Sequence, residues 1–485
     1  MSDIKNLNPK DLWGYFAEIC QIPHPSKKEQ KMVEYVKSFG ENLGLETTVD
    51  ETGNVIIKKK ATEGMENRKT VVLQAHLDMV PQKNNDKDHD FEKDPIEAYV
   101  DGEWVTANGT TLGADNGMGI AAAMAVLSAK DLKHGPVEAL FTIDEETGMT
   151  GANNLKPGYL DAEILINMDS EDEGELYVGC AGGVDIVASK SYNEEPVPEG
   201  MKAYRIDARG MKGGHSGIDI PLERANANKV LFRFLMQAEA DFDIRLSETT
   251  GGDLRNDIPR ESHAVVVVPE ENSQGFEDLV KEYDSIYKNE FEDTDPEMSF
   301  SCASTDMPSG LVPGDEQYGI IRAVYACPNG VLRMSMSMEG LVETSNNLAV
   351  VKVGGGKFEA LSLTRSSVDS AKDATAWKIA GVFQLMGADV NMSGDYPGWK
   401  PNMSSPILKT MQGVYDNIFG KIPEIKAIHA GLECGIIAGA YPHLDMISFG
   451  PTIRFPHSPD EKVNIETVEK FWKFLVGTLE AIPEK

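Results

Sequence analysis

Three apolar segments of this chain end in side chains that can carry chemistry, and this arrangement constrains the fold more than any other feature of the sequence. VVLQ is followed by His76 and Asp78, FTI by an acidic run with Glu145 and Glu146, and EILINM by Asp169. Short apolar runs of this kind are typical of buried strands. Buried strands that end in ionisable groups indicate a site at one edge of a sheet.

A helical stretch separates the first two of these strands. It begins at about residue 117 and runs through AAAMAVLSA, and GTTLGADNGMG just before it contains Asp115. The alternation of strands and helices predicts an α/β domain with a mostly parallel sheet. Ligands bind beyond the carboxyl ends of the strands in such a sheet, so Asp115 and the strand-end side chains should converge.

The pattern changes near residue 182, after which the chain contains two related passages. One leads from AYRIDARGMKGGHSG into a helix at about residues 223–238. The other leads from VLRMSMSMEGLVETSNN through FEALSLTRSS into a helix that begins at about Asp369. Repetition of a strand-helix unit predicts an α+β domain with an internal duplication.

The boundaries of this second domain are predicted from the same change of pattern and from a linker. YPGWKP, residues 396–401, has the composition of a connection back to the first domain. We therefore expect residues 185–396 to form a domain inserted into a discontinuous first domain, which consists of residues 1–184 and 397–485.

The strand-end carboxylates predict a metal centre, because they would repel one another without a cation. Imidazole and carboxylate ligands without thiolate suit zinc or manganese. The strand ends and the GADNG segment offer four ligands, and RFPHSPD offers a fifth. With a bridging Asp115, each of two metals could receive one histidine, one carboxylate of its own and a shared carboxylate, with room left for water. Open coordination positions are typical of catalytic sites.

The positions of Asp78 and of the adjacent pair Glu145 and Glu146 indicate further roles near the metal ions. Side chains at i and i+2 of a strand point to the same face, so Asp78 can orient the ring of His76. Glu145 and Glu146 are neighbours, and one can bind a metal while the other takes a proton from an activated water. Spacing alone leaves open which of the two does which.

The motifs AHLDMV, GADNGMG, DEETG, NMDSED and FPHSP resemble those of the di-zinc exopeptidases that include carnosinase, peptidase T and the glutamate carboxypeptidases. GGHSG, TGGDLRNDIPRE and HAGLECG are similar to motifs of the aminoacyl-histidine dipeptidases within that family, also called peptidase D or Xaa-His dipeptidases. The resemblance runs from IPHPS at residues 22–26 to His457. It implies two zinc ions per chain, with manganese or cobalt as substitutes, held by His76, Asp115, Glu146, Asp169 and His457, with Asp115 bridging.

The resemblance also implies roles for residues outside the metal shell. Glu145 matches the general base, and Asp78 matches the residue that orients His76. His215, in GGHSG, matches a histidine of a lid domain that helps to hold the scissile carbonyl. The substrate's terminal carboxylate region is held at positions that match Asn256, Arg365 and Gly431.

The leading functional hypothesis is a metallodipeptidase that hydrolyses Xaa-His and related dipeptides with a metal-bridged water and a glutamate base. Asp169 stands where the family's carboxypeptidases tend to have glutamate, which favours this hypothesis. The alternative is an amidohydrolase that acts on N-acyl amino acids with the same di-metal site. A hypothesis from another class is a non-catalytic metal or peptide-binding protein, but the full motif set, base included, argues against it.

The amino-acid composition excludes some classes of binding partner. The chain has 46 Lys and Arg against 78 Asp and Glu, a formal charge of −32, so nucleic acid and anionic membranes would be repelled. Five scattered cysteines without CxxC spacing and the lack of a long apolar run predict a cytoplasmic protein. Dipeptides are the expected partners. The sequence leaves open whether the protein forms a homodimer. It also leaves open whether His215 serves the active site of its own chain or that of a partner.

Overall fold

The computed structural model describes residues 3–485. The chain divides into two compact units. The first consists of Met1–Gly179, Pro401–Ala427 and Leu432–Lys485, and the second of Cys180–Lys400 and Ile428–Gly431. The second unit begins five residues before the predicted range of 185–396 and ends four residues after it. It also includes residues 428–431, which the sequence assigned to the first domain.

Residues 3–485 form both helices and strands. The α-helices are α1 (Lys10–Ile19), α2 (Gln30–Asn42), α3 (Ala114–Ser128), α4 (Glu145–Gly148), α5 (Thr150–Asn154), α6 (Ala227–Phe242), α7 (Ser273–Glu290), α8 (Gly314–Ala326), α9 (Asp369–Leu385), α10 (Pro406–Phe419), α11 (Glu433–Ala440) and α12 (Ile465–Ala481). The strands are β1 (Glu46–Val49), β2 (Val55–Lys59), β3 (Val71–His76), β4 (Ala98–Asp101), β5 (Trp104–Ala107), β6 (Val137–Thr142), β7 (Ile164–Asn167), β8 (Glu175–Cys180), β9 (Gly182–Ser191), β10 (Met201–Arg209), β11 (Gly214–His215), β12 (Arg245–Gly251), β13 (Asp257–Ile258), β14 (Ser262–Pro269), β15 (Ser299–Ser304), β16 (Gly330–Met334), β17 (Val342–Gly354), β18 (Lys357–Ser366), β19 (Asp389–Tyr396), β20 (Glu424–Ile428), β21 (Asp445–Ser448), β22 (Ile453–Arg454) and β23 (Lys462–Asn464). Within residues 3–485, no helix combines the length and apolar character that crossing a membrane requires.

An eight-stranded sheet in the order β1-β2-β6-β3-β7-β21-β8-β20 belongs to the first unit. The central strands β6, β3, β7 and β21 are parallel, which confirms the α/β prediction. Towards the edges, β1 and β2 pair antiparallel, β2 is antiparallel to β6, and β8 is antiparallel to β21. The sheet is therefore mixed, whereas the sequence predicted mostly parallel strands. Antiparallel neighbours need no crossover helix, so the strand-helix alternation carries no signal for them.

The centre of this sheet is fully buried. Every residue of β3, β6 and β7 is buried, as expected for parallel strands that are covered on both faces. Helix α3 is apolar on nearly all sides and packs against β3 and α1, while α10 contacts α12 and β21. The strand ends that carry the candidate site are thus anchored in a close-packed core.

A small sheet in the order β22-β23-β5-β4 joins distant parts of the first unit. Strand β23 pairs antiparallel with both β22 and β5. Residues 455–461 connect β22 to β23. The loop that contains His457 therefore begins and ends in paired strands.

The second unit contains an antiparallel sheet in the order β15-β10-β14-β12-β17-β18-β9-β19, with β16 paired to β17. One half comprises β10, α6, β12, β14, α7 and β15. The other half comprises β9, α8, β17, β18, α9 and β19. Numbered by position along the chain, the four main strands of each half lie in the order 4-1-3-2. The internal duplication stays a prediction, and this shared order supports it.

Two helices of the second unit test the predicted boundaries. Helix α9 begins at Asp369, as predicted. Helix α6 begins at Ala227, four residues later than the predicted start of the helix at 223–238. Asn226 is its N-cap, because its side-chain oxygen accepts a hydrogen bond from Lys229 N at 3.2 Å.

Candidate metal centre

The predicted metal ligands lie together in the first unit, at the carboxyl ends of its parallel strands. His76 is the last residue of β3, and Asp169 follows β7. Glu146 lies in α4, which begins three residues after β6. Asp115 is in the first turn of α3, and His457 lies in the loop between β22 and β23. Strand order explains the convergence, since β6, β3 and β7 are adjacent.

The first cluster of this centre surrounds His76. Its Nε2 lies 3.1 Å from Asp115 Oδ1 and 3.3 Å from Asp169 Oδ1. The imidazole is 1% exposed, so both carboxylates face a ring that is shielded from water. This cluster provides one nitrogen and two carboxylate groups.

The second cluster surrounds His457. Its Nε2 lies 3.3 Å from Asp115 Oδ2 and 3.0 Å from Glu146 Oε1. The two oxygens of Asp115 therefore face different histidines, one in each cluster. Ligand atoms of His76, Asp115 and Glu146 also lie within 4.8 Å of one another. The side chains are arranged so that one carboxylate can be shared between two positions.

The electrostatics of the centre reflect its crowding. Burial lowers the pKa of His76, but Asp169 and Asp115 outweigh this effect and raise the pKa well above its ordinary value. Burial raises the pKa of Asp169, and the carboxylates of Asp115 and Glu146 raise it further despite the nearby imidazole. Burial also raises the pKa of Glu145 well above its ordinary value, with contributions from Asp169 and Glu146. So many buried carboxyl groups are stable as anions only beside compensating positive charge.

Asp78 contacts more than the histidine that it was predicted to orient. Its Oδ1 lies 3.4 Å from His76 Nδ1, in agreement with the predicted contact. The carboxylate also accepts hydrogen bonds from the backbone N–H groups of Glu145 at 2.9 Å and of Glu146 at 3.3 Å. Burial opposes ionisation of Asp78, but these partners lower its pKa to about 2. One carboxylate therefore contacts both the first histidine and the segment that carries the two glutamates.

Asn116 is a residue of the centre that the sequence analysis missed. Its Nδ2 donates hydrogen bonds to Asp169 Oδ1 at 2.5 Å and to Met168 O at 2.8 Å. The side chain thereby connects the segment that carries Asp115 to the segment that carries Asp169. Its place beside Asp115 in GADNG was the only signal, and asparagine is common in loops for other reasons.

A second missed residue is Glu433, in α11. It is fully buried, and its Oε2 accepts hydrogen bonds from Gln74 Nε2 at 2.6 Å and Thr142 Oγ1 at 2.8 Å. Burial raises its pKa to about 7. Glu433 lies in the HAGLECG motif, so the sequence singled out the segment but not this side chain.

The second unit brings three of the four remaining site residues together. His215 in β11 is opposite Asp257 in β13, and Ser216 N donates to Asn256 O at 2.7 Å. Arg365 in β18 donates from Nε to Ser216 Oγ at 3.4 Å. Burial lowers the pKa of His215, and the charge of Arg365 lowers it further.

Gly431 belongs to the same unit, in the segment 428–431. Two residues before it lies His429, which is 6% exposed. His429 Nε2 is 2.7 Å from Ser345 Oγ, and burial, together with Arg365, lowers the pKa of His429 to about 3. His429 is thus a neutral imidazole in the electrostatic neighbourhood of the guanidinium.

Arg365 is a buried cation whose observed partners are neutral. Its side chain is 5% exposed, and it donates to the hydroxyls of Ser216 and Tyr396, the latter at 3.1 Å. Among residues 3–485, no carboxylate forms an ion pair with it within 4.0 Å. A guanidinium in this setting is ready to pair with an anionic group.

Comparison with known proteins gives concordant matches. The model of peptidase family M20/M25/M40 matches residues 72–481. The chain is 46% identical over 485 residues, all of both chains, to the cytosol non-specific dipeptidase of Escherichia coli K12. The crystal structure of aminoacylhistidine dipeptidase from Vibrio alginolyticus matches with a TM-score of 0.96 and 49% identity, covering 100% of this chain and 99% of the other. Aminopeptidase PepT from Bacillus cereus shares the fold at 17% identity and a TM-score of 0.57, covering 98% of this chain and 99% of PepT.

Proposed function

The chain belongs to peptidase family M20/M25/M40, and from this premise we propose that it is a di-metal dipeptidase that hydrolyses Xaa-His and related dipeptides. Membership of the family makes it a hydrolase that acts on peptide bonds. The observation that carries the finer proposal is the position of Asp115, whose two oxygens lie 3.1 Å and 3.3 Å from the ring nitrogens of His76 and His457.

The donor set suits two divalent ions. Each half-site offers one imidazole nitrogen, one carboxylate of its own and one oxygen of Asp115, which are ligands that zinc and manganese accept. We propose two zinc ions per chain, with manganese or cobalt as substitutes. When bound, these ions supply Lewis acidity that lowers the pKa of a water molecule and polarises the substrate carbonyl.

Glu145 is the proposed general base. Glu146 Oε1 lies 3.0 Å from His457 Nε2, which supports Glu146 as the ligand and leaves its neighbour for proton transfer. Burial raises the pKa of the Glu145 carboxyl, which makes its carboxylate a stronger base. In the proposed reaction this carboxylate takes a proton from the attacking water and returns it to the leaving amine. Asp78 holds the segment through the backbone N–H groups of Glu145 and Glu146.

The second unit supplies the proposed substrate-binding residues. Arg365 pairs with the free carboxylate of the dipeptide, because it is buried and its observed partners are hydroxyl groups. Asn256 and the Gly431 backbone contribute to the same subsite. His215, with a lowered pKa, is a neutral imidazole that can donate a hydrogen bond to the carbonyl oxygen as negative charge develops on it. In this proposal the unit acts as a lid.

The names of the relatives support a dipeptide substrate. The Escherichia coli relative is named a non-specific dipeptidase and the Vibrio structure an aminoacylhistidine dipeptidase. Both names refer to peptides of two residues, which favours the dipeptidase over the amidohydrolase of N-acyl amino acids. The Escherichia coli name also supports a cytoplasmic location for this chain.

A homodimer is a further proposal about this chain. Helix α9 exposes Trp377 to 71% and Leu385 to 91%, which are high values for large apolar side chains. Analytical ultracentrifugation should show a mass of twice the 53.0 kDa chain. A monomer at micromolar concentration would contradict the proposal.

The test of the proposed function compares three substrates. Full-length protein loaded with zinc is incubated with Ala-His, with N-acetyl-histidine and with Ala-Ala-His, and free amino acids are quantified. We expect rapid release of histidine from the dipeptide alone. Faster hydrolysis of the N-acyl compound would favour the amidohydrolase, and no hydrolysis of Ala-His would contradict the proposal.

A further inference from the structure

Glu461 binds the segment that carries the bridging aspartate, although it is distant in sequence. Its side chain is 2% exposed and accepts hydrogen bonds from four consecutive backbone N–H groups. Oε2 accepts from Leu112 at 2.8 Å and Gly113 at 3.0 Å, and Oε1 accepts from Ala114 at 2.8 Å and Asp115 at 3.3 Å. No side chain within the segment caps α3, so this carboxylate occupies the place of a local cap.

The same residue is joined closely to His457. Glu461 N donates to Ser458 O at 3.0 Å, so residues 458–461 form a turn directly after the histidine. Glu461 thus connects two ligand-bearing segments that are more than 300 residues apart in the chain. Each of these two segments carries one ligand of the second cluster, and His457 Nε2 lies 3.3 Å from Asp115 Oδ2.

We propose that Glu461 is a positioning residue that sets the geometry of the half-site formed by His457, Asp115 and Glu146. It acts through the backbone of Asp115 and through the turn that follows His457, and it touches neither metal nor substrate. The inference rests on the proposed two-metal function.

The two half-sites depend on Glu461 to different degrees. Two of the three donors in the second half-site, His457 and Asp115, lie on segments that Glu461 holds. In the first half-site, His76 and Asp169 have other partners, since Asp78 contacts His76 and Asn116 donates to Asp169. Loss of the Glu461 carboxylate should therefore weaken one metal position more than the other.

The surrounding fold has anchors of its own, which allows the role of Glu461 to be tested. Strand β23 begins at Lys462 and pairs with β5, and Thr106 Oγ1 donates to the backbone carbonyl of Glu461 at 2.8 Å. The Glu461 side chain takes no part in these contacts, so its substitution does not remove them. Glu461→Gln has the same shape but turns an NH₂ group towards two of the four N–H donors, so it loses those hydrogen bonds.

The experiment measures zinc content of the full-length protein in zinc-buffered solutions, by elemental analysis. Wild type should bind two zinc ions per chain. In Glu461→Gln we expect the dissociation constant of one zinc ion to rise by about 10- to 100-fold, while that of the other changes less than about threefold. Asp460→Asn is the matched control, since it removes the same charge from the neighbouring exposed residue and should bind zinc like wild type.

The outcomes separate this inference from the proposed function. Fewer than two zinc ions in wild type would contradict the two-metal function itself. Two zinc ions in wild type, with equal affinities in Glu461→Gln and wild type or with both sites weakened equally, would overturn the role of Glu461. Thermal unfolding in chelator provides the second measurement. We expect similar unfolding of variant and wild type, and a variant that is unfolded without metal would show that Glu461 serves the fold and would also overturn the proposal.

Discussion

The two units of this protein differ in the sign of the charge that each leaves to be compensated. The first unit gathers the carboxylates of Asp115, Glu146 and Asp169 around two histidines, at the carboxyl ends of parallel strands. The second unit buries the guanidinium of Arg365 among hydroxyl groups in an antiparallel sheet. The carboxylates of the first unit favour a bound cation, and the guanidinium of the second unit favours a bound anion.

This difference underlies the roles proposed for the two units. The first unit requires cations, and bound cations can act on a neutral carbonyl. The buried guanidinium of Arg365 in the second unit favours an anionic partner, and the terminal carboxylate of a peptide is one. We therefore propose that the first unit carries the chemistry and that Arg365 of the second unit pairs with the terminal carboxylate of the substrate. Changes to the protein and to the substrate test this proposal.

Metal removal should have the largest effect on activity, because it takes away the cations that the carboxylates of the first unit are proposed to bind. Protein stripped by a chelator and verified by elemental analysis should lose all measurable hydrolysis of Ala-His, and zinc, manganese or cobalt should restore it. The control is protein carried through the same steps without chelator. Full activity in verified metal-free protein would contradict the claim that the first unit needs bound cations.

Substitution of the two adjacent glutamates should separate chemistry from metal binding within the first unit. Glu145→Ala should lower kcat by about 10²- to 10⁴-fold, because a general base contributes on that order, while two zinc ions stay bound. Glu146→Ala should instead lose zinc. Kinetics and elemental analysis are measured on both variants, and the reverse pattern would mean that the two roles are exchanged.

Substitution of Arg365 should affect the second unit alone. Arg365→Ala should lower kcat/KM for Ala-His by roughly 10- to 100-fold, which corresponds to loss of hydrogen bonds to a charged group. Amidation of the dipeptide's carboxylate should cost as much, and the two changes together should cost little more than either one, because both remove the same interaction.

The control for the Arg365 substitution is Arg233→Ala. It removes an arginine of the same unit that pairs with Glu290. Its kinetics should match those of wild type. If wild-type protein hydrolyses the amidated dipeptide as fast as the free acid, Arg365 does not pair with the carboxylate of the substrate.

Asp78→Asn should have the smallest effect of the series. The amide oxygen can still accept one hydrogen bond, but the NH₂ group cannot accept the second, so the positions of His76 and Glu145 become less defined. We expect kcat to fall about tenfold with zinc content near wild type. A loss as large as that of Glu145→Ala would mean that Asp78 takes part in proton transfer.

Several features of the first unit could be predicted because their signals are local in the chain. The apolar runs of β3, β6 and β7 have the composition of doubly covered strands, and ionisable residues follow them directly. Parallel neighbours bring their carboxyl ends to one edge, so local sequence and one rule of sheet geometry placed His76 near Asp169. The observed distance of 3.3 Å agrees with that expectation.

Other features were missed because they depend on segments that are distant in the chain. The antiparallel edge strands β1, β2 and β8 follow no strand-helix alternation. The segment 428–431 joins the second unit, and no local pattern distinguishes it from the first. Glu145 and Glu146 were equivalent by spacing until the structure brought Glu146 to His457.

The sequence by itself determined which residue types could bind metal and at which strand ends they lie, since periodicity and burial are properties of short segments. Only the tertiary structure decided which distant side chains form hydrogen bonds to the segments that carry them. Asn116, Glu433 and Glu461 accept or donate hydrogen bonds across 53, 359 and 347 residues of chain. A buried polar group is stable only with a partner, and the fold as a whole determines where that partner is.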